Sequence, residues 1–160
     1  MRGTAIYRQH FGVDRVMNTD DHKAIRAIID RQFGSLNWSP TTSANWSAFV
    51  GDFLTEASLY PAARPANAQK PEEFVERMKG LATSKLRSFK ESALGHEIRV
   101  FGNVALAVAV CQITENEEQI TRGIEMMLLI KTEDRWQIVS QAWDTESESK
   151  PIPADLLVSD

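Results

Sequence analysis

The chain is poor in the residues that staple or span. It has a single cysteine, Cys111, among 160 residues, which excludes an internal disulfide. Its apolar neighbours suggest a small buried residue, and a reducing cytoplasm is the expected location. No apolar run approaches the roughly 20 residues that cross a bilayer, so no membrane partner is expected. The formal net charge of −4 leaves no basic footprint for nucleic acid, and the lysines and arginines stand singly. Three histidines, His10, His22 and His96, lie far apart, with no HExxH or CxxC spacing, so no metal is expected. The glycines form neither GxGxxG nor GxxxxGK[ST], and no GxSxG elbow occurs. No cofactor is therefore expected.

What remains is ordinary globular material: 42% apolar and 25% charged residues, enough for one domain with a sizeable core. Residues 1–19 read as a loose arm without an apolar signal-peptide core, and Met17 stands as an alternative start. Residues 20–146 read as the domain. Residues 147–160, broken by Pro151 and Pro153, read as a tail whose Leu156, Leu157 and Val158 dock on the body or on a partner.

Ile25, Ile28, Ile29, Phe33 and Leu36 recur at helical spacing behind Asp20 and Asp21, which suit a helix N-terminus. Pro40 ends that helix. A second helix is expected around Trp46, Phe49, Val50 and Phe53, capped by Ser43 or Asn45. A short strand from Ala57 to Tyr60 then enters a proline-containing loop. Pro71, Glu72 and Glu73 open a third helix with Phe74, Val75, Met78 and Leu81 as its stripe. From about Phe89 the period becomes that of strands. Gly102-Asn103 marks a hairpin, and "TENEEQ" and "KTEDRW" are the next turns. Helices first and an antiparallel sheet after is an α+β plan.

The order and spacing of "AIRAIIDRQF", "FVGDFLTEASLYP", "PEEFVERM", "IRVFGNVALAV" and "LLIKTEDRWQIVSQAWD" resemble the nuclear-transport-factor-2-like superfamily, especially its SnoaL-like and ketosteroid-isomerase-like members. The resemblance implies a cone-shaped α+β barrel, with three N-terminal helices packed on a strongly bent mixed or antiparallel sheet around an apolar pocket. It also implies a homodimer through the outer sheet face. Ketosteroid isomerases use an acid just after the first strand, where this chain has Tyr60 and Pro61. They use another on a late strand, where matching by turn length puts Met126 or Leu128. Steroid-type isomerisation is therefore not expected.

Glu125 is the oddity of the late strands. It shares a face with Met127 and Leu129, opposite Ile124, Met126, Leu128 and Ile130. The second row reads as the cavity side, which turns Glu125 toward a dimer surface or solvent. Pointing inward instead, it would have a raised pKa suited to acid–base work. Asp144 and His96 complete the catalytic candidates, each with a surface reading beside it. The ligand-binding candidates are Trp46, Phe53, Met78 and Met126 as apolar lining, and Tyr60 and Arg64 at the rim. Gln141 and Trp143 join them on one strand face, suited to orienting a polar group and stacking on a flat ring. The leading expectation is a small apolar or aromatic molecule bound in the cone. The alternatives are a cofactor-free cyclase, isomerase or dehydratase on a polyketide-like or small cyclic substrate, and a homo-oligomeric assembly domain without catalysis.

Overall fold

The structure, a computed structural model, describes residues 19–157. The expected arm through residue 18, with His10 and Met17, and Val158 of the tail lie outside the described residues.

Helix α1 spans Thr19–Ser35. Its Ile25, Ile28, Ile29 and Phe33 are buried as the spacing requires. At its start, Asp21 accepts hydrogen bonds from Trp136 Nε1 at 2.8 Å and Lys131 Nζ at 3.0 Å, which ties the helix N-terminus to the sheet. Near its end, Gln32 Nε2 donates to Phe49 O at 3.0 Å, and Arg31 grips Asp52 with both nitrogens of its fork. Helix α2, Trp46–Gly51, is a short turn capped by Asn45, whose Oδ1 accepts from Ala48 N. Strand β1 begins at once and runs Phe53–Tyr60, longer at its start than the expected Ala57–Tyr60. Helix α3, Pro71–Ala82, buries Phe74, Val75 and Met78. Glu73 takes the backbone N–H of Lys70 at 2.9 Å, one of the donors that every helix start leaves unpaired.

Four long strands follow: β2 Phe89–Phe101, β3 Val104–Glu115, β4 Gln119–Thr132 and β5 Arg135–Thr145. Their joints are tight. Gly102 adopts a left-handed φ of 57° at the β2–β3 turn, which glycine does without a Cβ penalty. At the β3–β4 turn, Asn116 Oδ1 accepts from Arg87 N at 2.7 Å, and its Nδ2 donates to Lys85 O. The turn is thereby fastened to the segment leaving α3. The sheet order is β1-β5-β4-β3-β2, with β1 parallel to β5 and the other pairs antiparallel. The sheet is thus mixed. It curls around the helices without closing, because β1 and β2 are its two edges.

Three register shifts steer the curl, the first where β1 slips against β5 between Phe53 and Ser58. The β2–β3 register shifts between Ala93 and Gly95, and the β4–β5 register between Leu128 and Leu129. Such insertions bend a strand and strengthen its twist. The inner face carries Ala105, Ala107, Ala109, Met127, Leu129 and Ile138, all buried. On the outer face the tail forms a 3-10 turn, Ala154–Leu157, against β2 and β3. A Cβ at Gly95 would stand 2.2 Å from the Leu156 carbonyl oxygen, so this close approach requires glycine. No helix among the described residues is long and apolar enough to cross a membrane.

Candidate functional site

The parity of β4 decides what the cone contains, and it is the reverse of the sequence reading. Met126 is 52% exposed and Leu128 47%, whereas Met127 and Leu129 are fully buried. The row Ile124–Met126–Leu128–Ile130 is the outer face. Glu125 points into the cone, and the positions matched to Met126 or Leu128 lie outside it. The physical reason is that both rows are apolar. The row on β3 that faces the helices is made of alanines, and small side chains there leave room inside for Glu125 opposite Ala109.

A cavity of about 140 Å³ lies between this inner face and the helices. Phe49, Phe74, Met78 and Trp143 make its apolar wall. The rings are packed in sequence, with Phe49 stacked on Phe74 at 5.2 Å and Phe74 edge-on to Trp143 at 5.7 Å. Arg77, lying 5.2 Å over the Phe74 ring, is its exposed member and marks the mouth. The deep end is polar: Gln32, Glu91, Glu125 and Gln141 line it.

Glu91 was absent from the sequence-based candidates. It stands on β2 paired with Ile113, while Glu125 pairs with Ala109 on one side and Trp143 on the other. Both carboxyls are buried, and with Cys111 they bring their oxygen and sulfur atoms within 4.8 Å of one another. Gln141 Nε2 donates to Glu125 Oε2. The Cys111 thiol lies 3.7 Å from Gly123 O and also bonds the Glu91 carboxyl.

Burial sets the electrostatics of this group. It raises Glu125 to about 7, against the pull of the Gln141 hydrogen bond. It raises Glu91 well above the ordinary carboxyl range, and the charge of Glu125 raises it further. The two carboxyls are close enough to interact, so a charge on Glu125 holds the proton on Glu91. Burial, and then both carboxylates, also keep Cys111 a thiol. A cation entering here would first have to displace the protons held on Glu91 and Cys111.

The other candidates are distributed as follows. Met78, Gln141 and Trp143 line the cavity with Glu125. Trp46 is half-buried on α2, 5.6 Å from Trp38, and Phe53 is buried 5.2 Å from Phe49; both are core neighbours outside the lining. His96 is half-buried on β2, paired with Ala109 on the side away from Glu125, and is not among the residues lining the cavity. Tyr60 is exposed at the end of β1. Arg64 Nη1 is spent on its own loop, donating to the carbonyls of Pro61, Ala62 and Ala63. Arg64, Met126 and Asp144 meet instead in a shallow outer groove of about 300 Å³. Asp144 is exposed there and paired with Lys150 at 2.5 Å; that hydrogen bond chiefly holds its carboxyl below the ordinary range. Of the three catalytic candidates, Asp144, Glu125 and His96, Glu125 alone lines the cavity. The acid that joins Glu125 is Glu91.

Three helices against a curled mixed sheet, with the cavity between them, define an α+β cone. No protein-family model and no curated protein sequence matches the chain. Solved structures do. A candidate scytalone dehydratase of Novosphingobium aromaticivorans aligns over 81% of this chain and 87% of its own, with TM-score 0.66 and 12% identity. A nuclear-transport-factor-2-like protein of unknown function from Pseudomonas putida aligns over 88% and 98%, with TM-score 0.65 and 13% identity. A Nostoc punctiforme protein with a cystatin-like fold aligns over 80% and 92%, with TM-score 0.63 and 12% identity. The chain has the nuclear-transport-factor-2-like, cystatin-like fold; at these identities the likeness speaks for the fold alone.

Proposed function

We propose that the protein admits a molecule of single-ring size to the cone and transfers a proton on it without a cofactor, as an isomerase or dehydratase does. The observation that carries this reading is the pair of buried carboxyls, Glu91 and Glu125, facing one cavity with unequal hold on their protons. Acid–base catalysis works best when the group titrates near the working pH, and Glu125 at about 7 meets that condition. Two acids with separated affinities also divide the work. In an elimination, ionised Glu125 takes a proton from carbon while protonated Glu91 gives one to the departing hydroxyl, which leaves as water. A proton passing from Glu125 to Glu91 restores the pair. One fold neighbour is named as a candidate dehydratase, a reaction class in keeping with this chemistry.

The size of the cavity limits the substrate. At about 140 Å³ it falls below the roughly 300–1,000 Å³ of drug-sized pockets and close to the roughly 150 Å³ known to take benzene. An unfilled cone also supports a ligand site over a pure assembly domain. A direct test is the loss of water from 3-hydroxycyclohexanone, a single ring, which begins with loss of one C–H proton. The expected rate rises through pH 7 and collapses in Glu125→Gln. A rate unchanged by that substitution would overturn the reading.

The outer sheet face supports a second reading, a homodimer. Leu106 pairs with Leu128 and Val108 with Met126 across β3 and β4, and Val104, Leu106, Met126 and Leu128 are all exposed. Contiguous exposed apolar surface of this kind marks an interface. Light scattering on the wild type should report a dimer and on Leu128→Glu a monomer; a monomeric wild type would refute it.

A further inference from the structure

We infer that the molecule taken by the cone is a ring bearing two or more hydrogen-bond donors, hydroxyl or N–H. The inference rests on the proposed function only in placing that molecule in the cone.

Four polar side chains at the deep end of the cavity are more than nine-tenths buried: Gln32 at 1% exposure, Gln141 at 3%, Glu91 at 4% and Glu125 at 8%. Their donors are largely spent; one N–H of Gln141 and the proton on Glu91 remain. Gln32 Nε2 serves Phe49 O at 3.0 Å and Asp52 Oδ2 at 3.3 Å, and Gln141 Nε2 serves Glu125. The Cys111 thiol is engaged by Gly123 O and Glu91. The acceptors are not spent. Gln32 Oε1 and Gln141 Oε1 are both buried without a partner. Gln32 Nε2 is bound to a backbone carbonyl, which settles its amide, and Gln141 is oriented by ionised Glu125, which can only accept.

Buried polar atoms in native proteins are paired as a rule. Two orphaned carbonyl oxygens beside two carboxyls therefore make a wall that is short of donors. A pure hydrocarbon would leave that shortage in place. A ligand offering only carbonyl or ether oxygens would find little beyond the proton retained on Glu91. An anion would meet the charge of Glu125 and, at the mouth, one exposed cation, Arg77, whose Nη2 already donates to Gln69 at 3.4 Å. A neutral ring with two donors suits both ends of the cavity. Its face lies against Phe74, Trp143 and Met78, and its hydroxyl or N–H groups reach the orphaned oxygens.

The test is calorimetric titration of the intact chain with toluene, phenol, resorcinol and zinc chloride. The expected order is resorcinol over phenol over toluene, with affinity rising about tenfold for each hydroxyl. Gln141→Met, similar in shape but without the carbonyl, should lose about tenfold for resorcinol and leave toluene unchanged. Toluene binding as tightly as resorcinol would overturn the inference, as would binding of no ring at all. Zinc binding with no ring binding would also overturn it and assign the acidic cluster to a cation. The wild-type ranking decides the matter even where the variant does not fold. Donor-graded binding without turnover of 3-hydroxycyclohexanone would sink the proton-transfer reading and leave this one standing. Turnover with ungraded binding would do the reverse.

Discussion

Replacing Glu125 by glutamine should stabilise the protein at alkaline pH and leave it nearly unchanged in acid. Burial raises the carboxyl from 4.5 to about 7. Between those values the folded state binds more protons than the unfolded state, so stability falls as pH rises through that window and is level above it. Each pH unit in the window is worth about 1.4 kcal/mol, so ionised Glu125 costs the fold about 3 kcal/mol at pH 8. Glutamine keeps the shape and carries no charge to desolvate. The expected result is a melting temperature roughly 6–12 °C above wild type at pH 8, given about 2–4 °C per kcal/mol for a domain of this size. At pH 4 the difference should shrink to within the scatter expected of a near-isosteric change. The assay is thermal or urea unfolding of both proteins across pH 4–8; titrations remote from the pair cancel, and freeing Glu91 from the charge of Glu125 adds to the gain in the same direction. A stability difference that does not vary with pH would refute the reasoning.

Gly95→Ala should displace the C-terminal turn, since its Cβ would meet the Leu156 carbonyl at 2.2 Å. Early cleavage between residues 150 and 157 in limited proteolysis, with about 1–3 kcal/mol of lost stability, is the expected outcome; a tail as resistant as wild type would contradict it. Cys111, buried and held as a thiol chiefly by burial, should react with a disulfide reagent only as fast as the fold opens, and urea should speed the labelling sharply. Asp21→Asn should weaken the attachment of α1 to Lys131 and Trp136. A loss of about 1–3 kcal/mol at neutral pH should fade below the lowered ionisation point of Asp21, because the protonated aspartic acid no longer supplies the charge.

Helices were the legible part of the fold. The Ile25–Ile28–Ile29–Phe33 spacing and Pro71 at a helix start each have one local cause and stand where that cause puts them, and of the two offered caps Asn45 is the one used. The Gly102-Asn103 hairpin was equally plain. The face of β4 was not. Apolar content separates inside from outside only where the outside is polar, and here Met126 and Leu128 cover an apolar outer face. The informative contrast lay on the neighbouring strand, where Ala105, Ala107 and Ala109 alternate with Val104, Leu106 and Val108. The row of small residues marks the side that must make room.

Glu91 was hidden for a different reason. Ser92, Ala93, Leu94 and Gly95 interrupt strand alternation, and the bulge between Ala93 and Gly95 disconnects the parity of Glu91 from that of His96. A local pattern therefore could not carry the strand back through Glu91. Its pairing with Ile113, remote in sequence, is what brings it to Glu125. Asp144 illustrates the converse. It follows Trp143 directly, and adjacent strand residues face opposite sides, so the inward Trp143 turns Asp144 to the outer groove.

Burial of Glu125 inside the cone moves its titration toward neutrality. Carbon-detected nuclear magnetic resonance of the glutamate side chains, with Glu125→Gln used to assign the resonance, measures it directly. The account predicts a Glu125 midpoint near 7, with Glu91 still protonated as Glu125 ionises. A Glu125 midpoint near 4.5, the value of a solvated glutamate, would contradict it.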